Sequence, residues 1–262
     1  VVVSLLASER KPLAQWLPVR FHHGAADIAG RIVPLDEEPV GPGCSGRVQI
    51  VLDAPVAAAV GDRFVIRDTT AQRTMGGGRI LDLRAPARKR RTPARLAEID
   101  ALESHLDDAE GALAALLALP PHCLDLTAFA RDRALSPART EAIAAALSLQ
   151  ATDAAGAVHV MDPAGLARFR AGLVDTLAEF HAINPDLAGM GLERLRMQLA
   201  DRLPAPVFRG FLREAVREGA VVVDGAWARL PGHEIRLTDE EERIWAAARP
   251  LIPPPGQTGN CV

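Results

Sequence analysis

The chain has 262 residues, 48 % of them hydrophobic and 24 % charged, with a net charge of −3. This length predicts two or three folding units, and the composition is that of a soluble globular protein with no apolar run near the roughly 20 residues a membrane helix needs and no basic-then-apolar leader. Cys44, Cys123 and Cys261 are too far apart for a disulfide framework or a zinc knuckle, which points to a reducing cytoplasm.

The first 85 residues have β character. Short runs rich in Val, Ile and Phe recur at Val1–Leu6, Leu17–His23, Asp27–Leu35, Gly46–Leu52, Asp62–Arg67 and Arg79–Leu83. Val19, Phe21 and His23 share one face of their strand, while Arg20 and His22 share the other. No connection is long enough for a crossover helix, so the pairing is antiparallel. Six strands of this kind predict a closed β-barrel over residues 1–85.

A basic linker, 86–93, follows, with Arg88, Lys89, Arg90 and Arg91 between prolines. The apolar period then changes from two to about 3.6. Leu96, Ile99 and Leu102, then Leu113, Leu116 and Leu117, predict one or two helices, followed by helices at Leu126–Leu135 and Pro137–Leu147. Ser136 is an N-cap with Pro137 at the first helical position. Val158–Val160, after the turn at Asp153–Gly156, is the second strand of a hairpin. Three helices and a hairpin make a winged helix over 94–162.

The pattern repeats over 163–232. Pro163–His181 carries a stripe of Leu166, Phe169, Leu173, Val174, Leu177 and Phe180. Helices at Leu192–Leu199 and Val207–Glu218 lead to a hairpin of Ala220–Val223 and Ala226–Leu230, turning at Asp224-Gly225. A third copy, 233–262, opens with the capping box Thr238–Glu241 and a helix through Ile244, Trp245 and Leu251. An apolar start without methionine and the run Pro253–Gly256 read as cuts through a longer protein.

Charge is unevenly distributed. Residues 1–93 carry 14 Lys and Arg against 9 Asp and Glu, a net of +5; residues 94–162 carry 4 against 11, a net of −7. Polyanion binding is therefore expected of the barrel and its linker, where Arg67, Arg73, Arg79 and Arg84 accumulate, and not of the first winged helix. Arg209, Arg213 and Arg217 recur every four residues on the third helix of the second repeat, opposite its apolar stripe. That helix would be the recognition helix, and the arginines are candidate phosphate contacts or a solvated face shared with Glu214 and Glu218.

Other motifs have plainer readings. Gly76-Gly77-Gly78 leads into a strand, not into a helix with a following Lys, so it predicts a barrel corner or bulge and not a phosphate loop. His22 and His23 are strand neighbours that point to opposite faces and cannot chelate one metal. No Walker pattern and no catalytic constellation is found, so no enzymatic activity is expected of this chain.

Phe64–Asp68, Gln72–Ile80, Leu17–Gly24 and Gly30–Ile32 resemble strands of the third domain of elongation factor Tu-like proteins. The basic linker and tandem winged helices that follow, with Leu13–Trp16 and the Trp245 helix, resemble the C-terminal part of the bacterial selenocysteine-specific elongation factors, the SelB family. The resemblance implies a piece of a factor that delivers selenocysteyl-tRNA to the ribosome at recoded UGA codons. It implies GTP and Mg bound in an N-terminal domain, and an mRNA insertion hairpin read by a terminal winged helix beyond this chain. By motif match, Arg67, Asp68, Thr69, Arg73 and Thr74 occupy the loop facing the tRNA T-stem. Its charge of −7, which RNA would repel, makes the acidic module a spacer by expectation; the resemblance implies RNA and ribosome as partners without a membrane, and a cytoplasmic monomer. The alternatives are a winged-helix transcription regulator with a β-barrel sensor, and winged helices that bind protein.

Overall fold

The computed structural model describes residues 1–237 and 239–251, which form two units, Val1–Gly165 and the residues from Leu166 onward. Thr238, the first residue of the expected capping box, and the Pro253–Gly256 run lie outside the described residues. No helix among them is long and apolar enough to cross a membrane.

The first unit opens with six strands: β1 (Val2–Leu5), β2 (Leu17–His23), β3 (Ala26–Pro34), β4 (Ser45–Leu52), β5 (Arg63–Arg67) and β6 (Thr74–Arg79). They close into an antiparallel barrel in the order β1-β4-β3-β2-β5-β6, with β6 pairing back onto β1. Alternation drives the closure. Val3, Leu5, Val19, Phe21, Phe64 and Ile66 point inward and are buried, with Phe21 stacked on Phe64 at 5.1 Å between ring centres. Closure satisfies the backbone groups that an open sheet edge would expose.

The sixth strand differs from expectation. It runs over Thr74–Arg79 and not Arg79–Leu83, so the three glycines lie inside the strand. A Cβ at Gly77 would sit 2.7 Å from the Phe64 carbonyl oxygen, and one at Gly78 would collide with that of Val2. The glycines let β1 and β5 approach where the barrel closes. Side-chain periodicity cannot reveal a strand without side chains. The apolar run after them is split: Ile80 completes the barrel core, and Leu81 joins a separate cluster with Leu35 and Ile99.

That cluster holds helix α1 (Pro93–Ser104) against the barrel. Helix α2 (Ala109–Leu117), strand β7 (Leu124–Asp125), helices α3 (Leu126–Asp132) and α4 (Pro137–Ala146), and strands β8 (Gln150–Ala154) and β9 (Ala157–Met161) form the first winged helix. Its core unites Leu113, Leu117, Phe129, Ile143 and Val160. Ser136 caps α4 by accepting from the Arg139 amide at 3.2 Å.

The second unit contains α5 (Pro163–Ile183), β10 (Met190–Gly191), α6 (Leu192–Gln198), α7 (Ala205–Arg217), β11 (Val222–Asp224) and β12 (Trp227–Arg229). Phe169 of α5 meets Phe208 and Phe211 of α7 edge-on, at 6.0 and 6.1 Å. Val174, expected in the buried stripe, is 36 % exposed, because it lies one residue past Leu173 and so about 100° around the helix. Strands β7 and β10 were not expected. Each has two residues, too few to show a period, and each adds a third strand to its hairpin. Helix α8 (Asp239–Ala248) follows, with Ile244 and Trp245 exposed.

Candidate nucleic-acid interface

The loop between β5 and β6 is organised by Asp68. Its carboxylate accepts from the backbone amides of Gln72 and Arg73 at 2.9 and 3.0 Å, and from the Thr70 hydroxyl at 2.9 Å. The amide of Arg73 leads the bonds that hold the Asp68 carboxyl below the usual range. Ala71 takes a left-handed φ of 54° to complete the turn. Asp68, expected among the RNA-facing residues, therefore spends its acceptors inside the loop. Thr69 and Thr74 are exposed.

Arg73 reaches back to the buried Glu9, its Nη1 donating to both carboxylate oxygens at 2.8 and 3.0 Å. Its side chain remains 57 % exposed, so Glu9 orients the guanidinium without burying it. Arg67 is half-buried, and its Nε is enclosed without a partner. In the register of the barrel Arg20 faces Arg67, which faces Thr74, a row across β2, β5 and β6. Arg20 was absent from the expected site. Its signal was the alternation that puts Arg20 and His22 on the outer face. Asp27 lies beside this row, 2.8 Å from Arg20 and 3.4 Å from His22. His23 turns away to Asp62 at 3.2 Å, so the paired histidines serve different partners.

The other barrel arginines do not extend this row. Arg79 bonds Asp107, with 2.8 Å between Nη1 and Oδ2, and Arg84 bonds Asp132 at 2.6 and 2.8 Å. Arg47 bonds Asp100 and Glu103, both at 2.6 Å. The acids of α1 and of the first winged helix thus pair with Arg47, Arg79 and Arg84, so the arginines that accumulate from Arg67 to Arg84 are not all free for a polyanion. The linker divides too. Arg91 donates twice to the Pro34 carbonyl oxygen at 3.0 and 2.6 Å, and Arg90 lies over Trp16, 5.4 Å from the ring centre. Arg88 and Lys89 are exposed.

In the second unit Arg209 and Arg213 are exposed on α7. The neighbouring acids are paired, Glu214 with Arg217 and Glu218 with Arg170. The stripe of three arginines is therefore two exposed cations and one in an ion pair.

Comparison with known proteins matches two parts of this arrangement. Residues 1–87 match the family model for the β-barrel domain of the selenocysteine-specific elongation factor, and residues 174–230 match that for a winged helix of elongation factor SelB. The chain carries the β-barrel and a winged helix of the SelB family. The selenocysteine-specific elongation factor of Escherichia coli is 31 % identical over 242 residues, 92 % of this chain and 37 % of that protein. Those of Haemophilus influenzae and Desulfomicrobium baculatum are each 24 % identical, over 89 % and 93 % of this chain. The chain thus spans a little over a third of the length of these relatives. A crystal structure of a bacterial selenocysteine-specific elongation factor superposes with a TM-score of 0.54 at 15 % identity, covering 95 % of this chain and 37 % of that one, which bears on the fold alone. Within the SelB barrel match lie the Asp68 loop, the Arg20–Arg67–Thr74 row and Glu9; α6, α7 and the second hairpin lie within the winged-helix match.

Proposed function

We propose that this chain is part of a translation factor that delivers selenocysteyl-tRNA to the ribosome at recoded UGA codons, with the barrel gripping the tRNA. The observation that carries this reading is the outward row Arg20–Arg67–Thr74 beside a loop stiffened by Asp68 and carrying Thr69 and Arg73. Arginines would meet phosphates, and the threonine hydroxyls would bond phosphate oxygens or 2′-hydroxyls. The winged helices form the arm toward an mRNA insertion hairpin.

GTP and Mg belong to a domain outside this chain in our reading. The glycine run does not fit a phosphate, since its strand packs against the backbones of β1 and β5. The protein acts in the cytoplasm as a monomer, and the boundaries 1–85, 86–93, 94–162, 163–232 and 233–262 delimit its modules. A DNA-binding regulator is the poorer reading, because the first winged helix is acidic and commits its acids to the barrel.

The test is salt-dependent binding of the chain to selenocysteyl-tRNA, to a duplex DNA pool and to an insertion-hairpin RNA. Salt-sensitive tRNA binding that weakens about tenfold in Arg67→Ala is expected, as each good polar contact contributes roughly 1–3 kcal/mol. Tight duplex DNA binding without preference for tRNA would sink the proposal.

A further inference from the structure

The second winged helix holds a groove of about 620 Å³ between α6, α7 and the tip of its hairpin. That volume falls within the roughly 300–1,000 Å³ of small-ligand sites. Its lining includes Gly191, Arg194, Phe208, Arg209, Ala226 and Trp227. Trp227 is 56 % exposed, an unusual position for an indole on a three-residue strand. Its neighbours in register are Gly191 on β10 and Asp224 on β11. Gly191 has no side chain, so the ring edge on that side stays uncovered.

The charge of the groove is settled by its ion pairs. Glu193 is bound to Arg196, which also donates to the Leu203 carbonyl oxygen at 2.8 Å. Arg196 holds the Glu193 carboxyl below its usual range. This pair is neutral. Arg209 remains exposed in the groove, whereas the exposed Arg194 turns its guanidinium over the Phe180 ring at 5.2 Å, and Phe180 is not part of the groove lining. Asp224 at the hairpin tip is the one opposing charge in register with Trp227. An exposed aromatic face in one groove with an exposed arginine suits a base and a flanking phosphate, since stacking tolerates any base and arginine holds the backbone.

We propose that this groove binds one unpaired nucleotide of a single-stranded nucleic acid, its base stacked on Trp227 and a flanking phosphate held by Arg209. A duplex covers its base faces and cannot enter in this way. The site stands on residues of the second unit alone and is independent of the barrel reading.

The test uses the full chain with Trp16→Phe and Trp245→Phe, which leaves Trp227 as the only one of three tryptophans. Titration with an unstructured ten-nucleotide RNA should quench its emission saturably, and a blunt duplex should not. Arg209→Ala should raise the midpoint about tenfold and reduce the salt slope by about one. Lys11→Ala, at an exposed barrel cation outside the proposed tRNA grip, should leave the midpoint unchanged. In the otherwise unaltered chain, Trp227→Ala should weaken binding of the labelled oligonucleotide about tenfold and Trp227→Phe should recover most of it. Absence of quenching, equal quenching by the duplex, or an unchanged affinity in Trp227→Ala overturns the proposal.

Discussion

At the scale of single residues, the barrel loop depends on two carboxylates with different tasks. Glu9 is buried and answers Arg73; Asp68 is the hub of its own loop. Removing the arginine leaves the Glu9 charge buried without its partner, whereas with glutamine in place of Glu9 only a neutral amide is left to desolvate. Arg73→Ala should therefore cost about 1–2 kcal/mol, the range for a charged hydrogen bond discounted for the exposure of the arginine. In a Glu9→Gln background the same change should cost much less, and a double-mutant cycle in urea measures the difference. Arg67→Ala breaks no such pair and is the cleaner probe of RNA binding.

At the scale of elements, β6 shows how a strand can be built from missing side chains. Gly78→Ala places a methyl against the Val2 carbonyl oxygen, in the backbone of β1, which cannot rotate away as a side chain could. It should destabilise the barrel by about 3 kcal/mol or more, as overpacking does at its upper end. Gly41→Ala, with nothing within 4 Å, should be nearly neutral by the same denaturant melt. Helix α4 offers a milder contrast. Ser136→Ala removes the bond to the Arg139 amide and should cost about 1 kcal/mol.

The end of the second hairpin is tied to α5 by His181, whose Nε2 accepts from the Leu230 amide at 3.3 Å while its ring stacks on His233 at 3.5 Å. Burial, then His233 and Arg229, depress its proton affinity below the ordinary value. The unfolded chain therefore binds more protons below the ordinary value of about 6.5. This contribution to stability is complete above about pH 6.5 and declines as the pH falls below it, through the lower folded value. A melting temperature of the second unit that drops over this window, and drops less in His181→Gln, would bear this out.

Across the whole molecule, charge is used twice. The net of −3 conceals a basic barrel and an acidic module whose opposite charges meet within the first unit through Arg47, Arg79 and Arg84. Asp107 is held below its ordinary range first by its bond to Arg79, as Asp27 is by Arg20. Depressed carboxyls stabilise the fold above the unfolded value of about 3.9, and that contribution disappears as pH falls through their lower folded values. Acid melting of the first unit should begin below about pH 4 and be shallower in Arg79→Ala, followed by circular dichroism.

The sequence by itself determined the order of elements, the antiparallel barrel, the capped α4 and the placement of arginines by segment. These follow from local periodicity, caps and composition, which are properties of neighbours along the chain. It did not place β6, whose glycines have no pattern to read, nor β7 and β10, which are too short to have one. Only the tertiary structure decided which arginines face outward. Arg79 and Arg84 meet Asp107 and Asp132, 28 and 48 residues away, and Arg20 joins Arg67 only through barrel register. A count of charges cannot distinguish a guanidinium bonded across the fold from one held toward solvent, because that difference depends on distances the chain sets only when it closes.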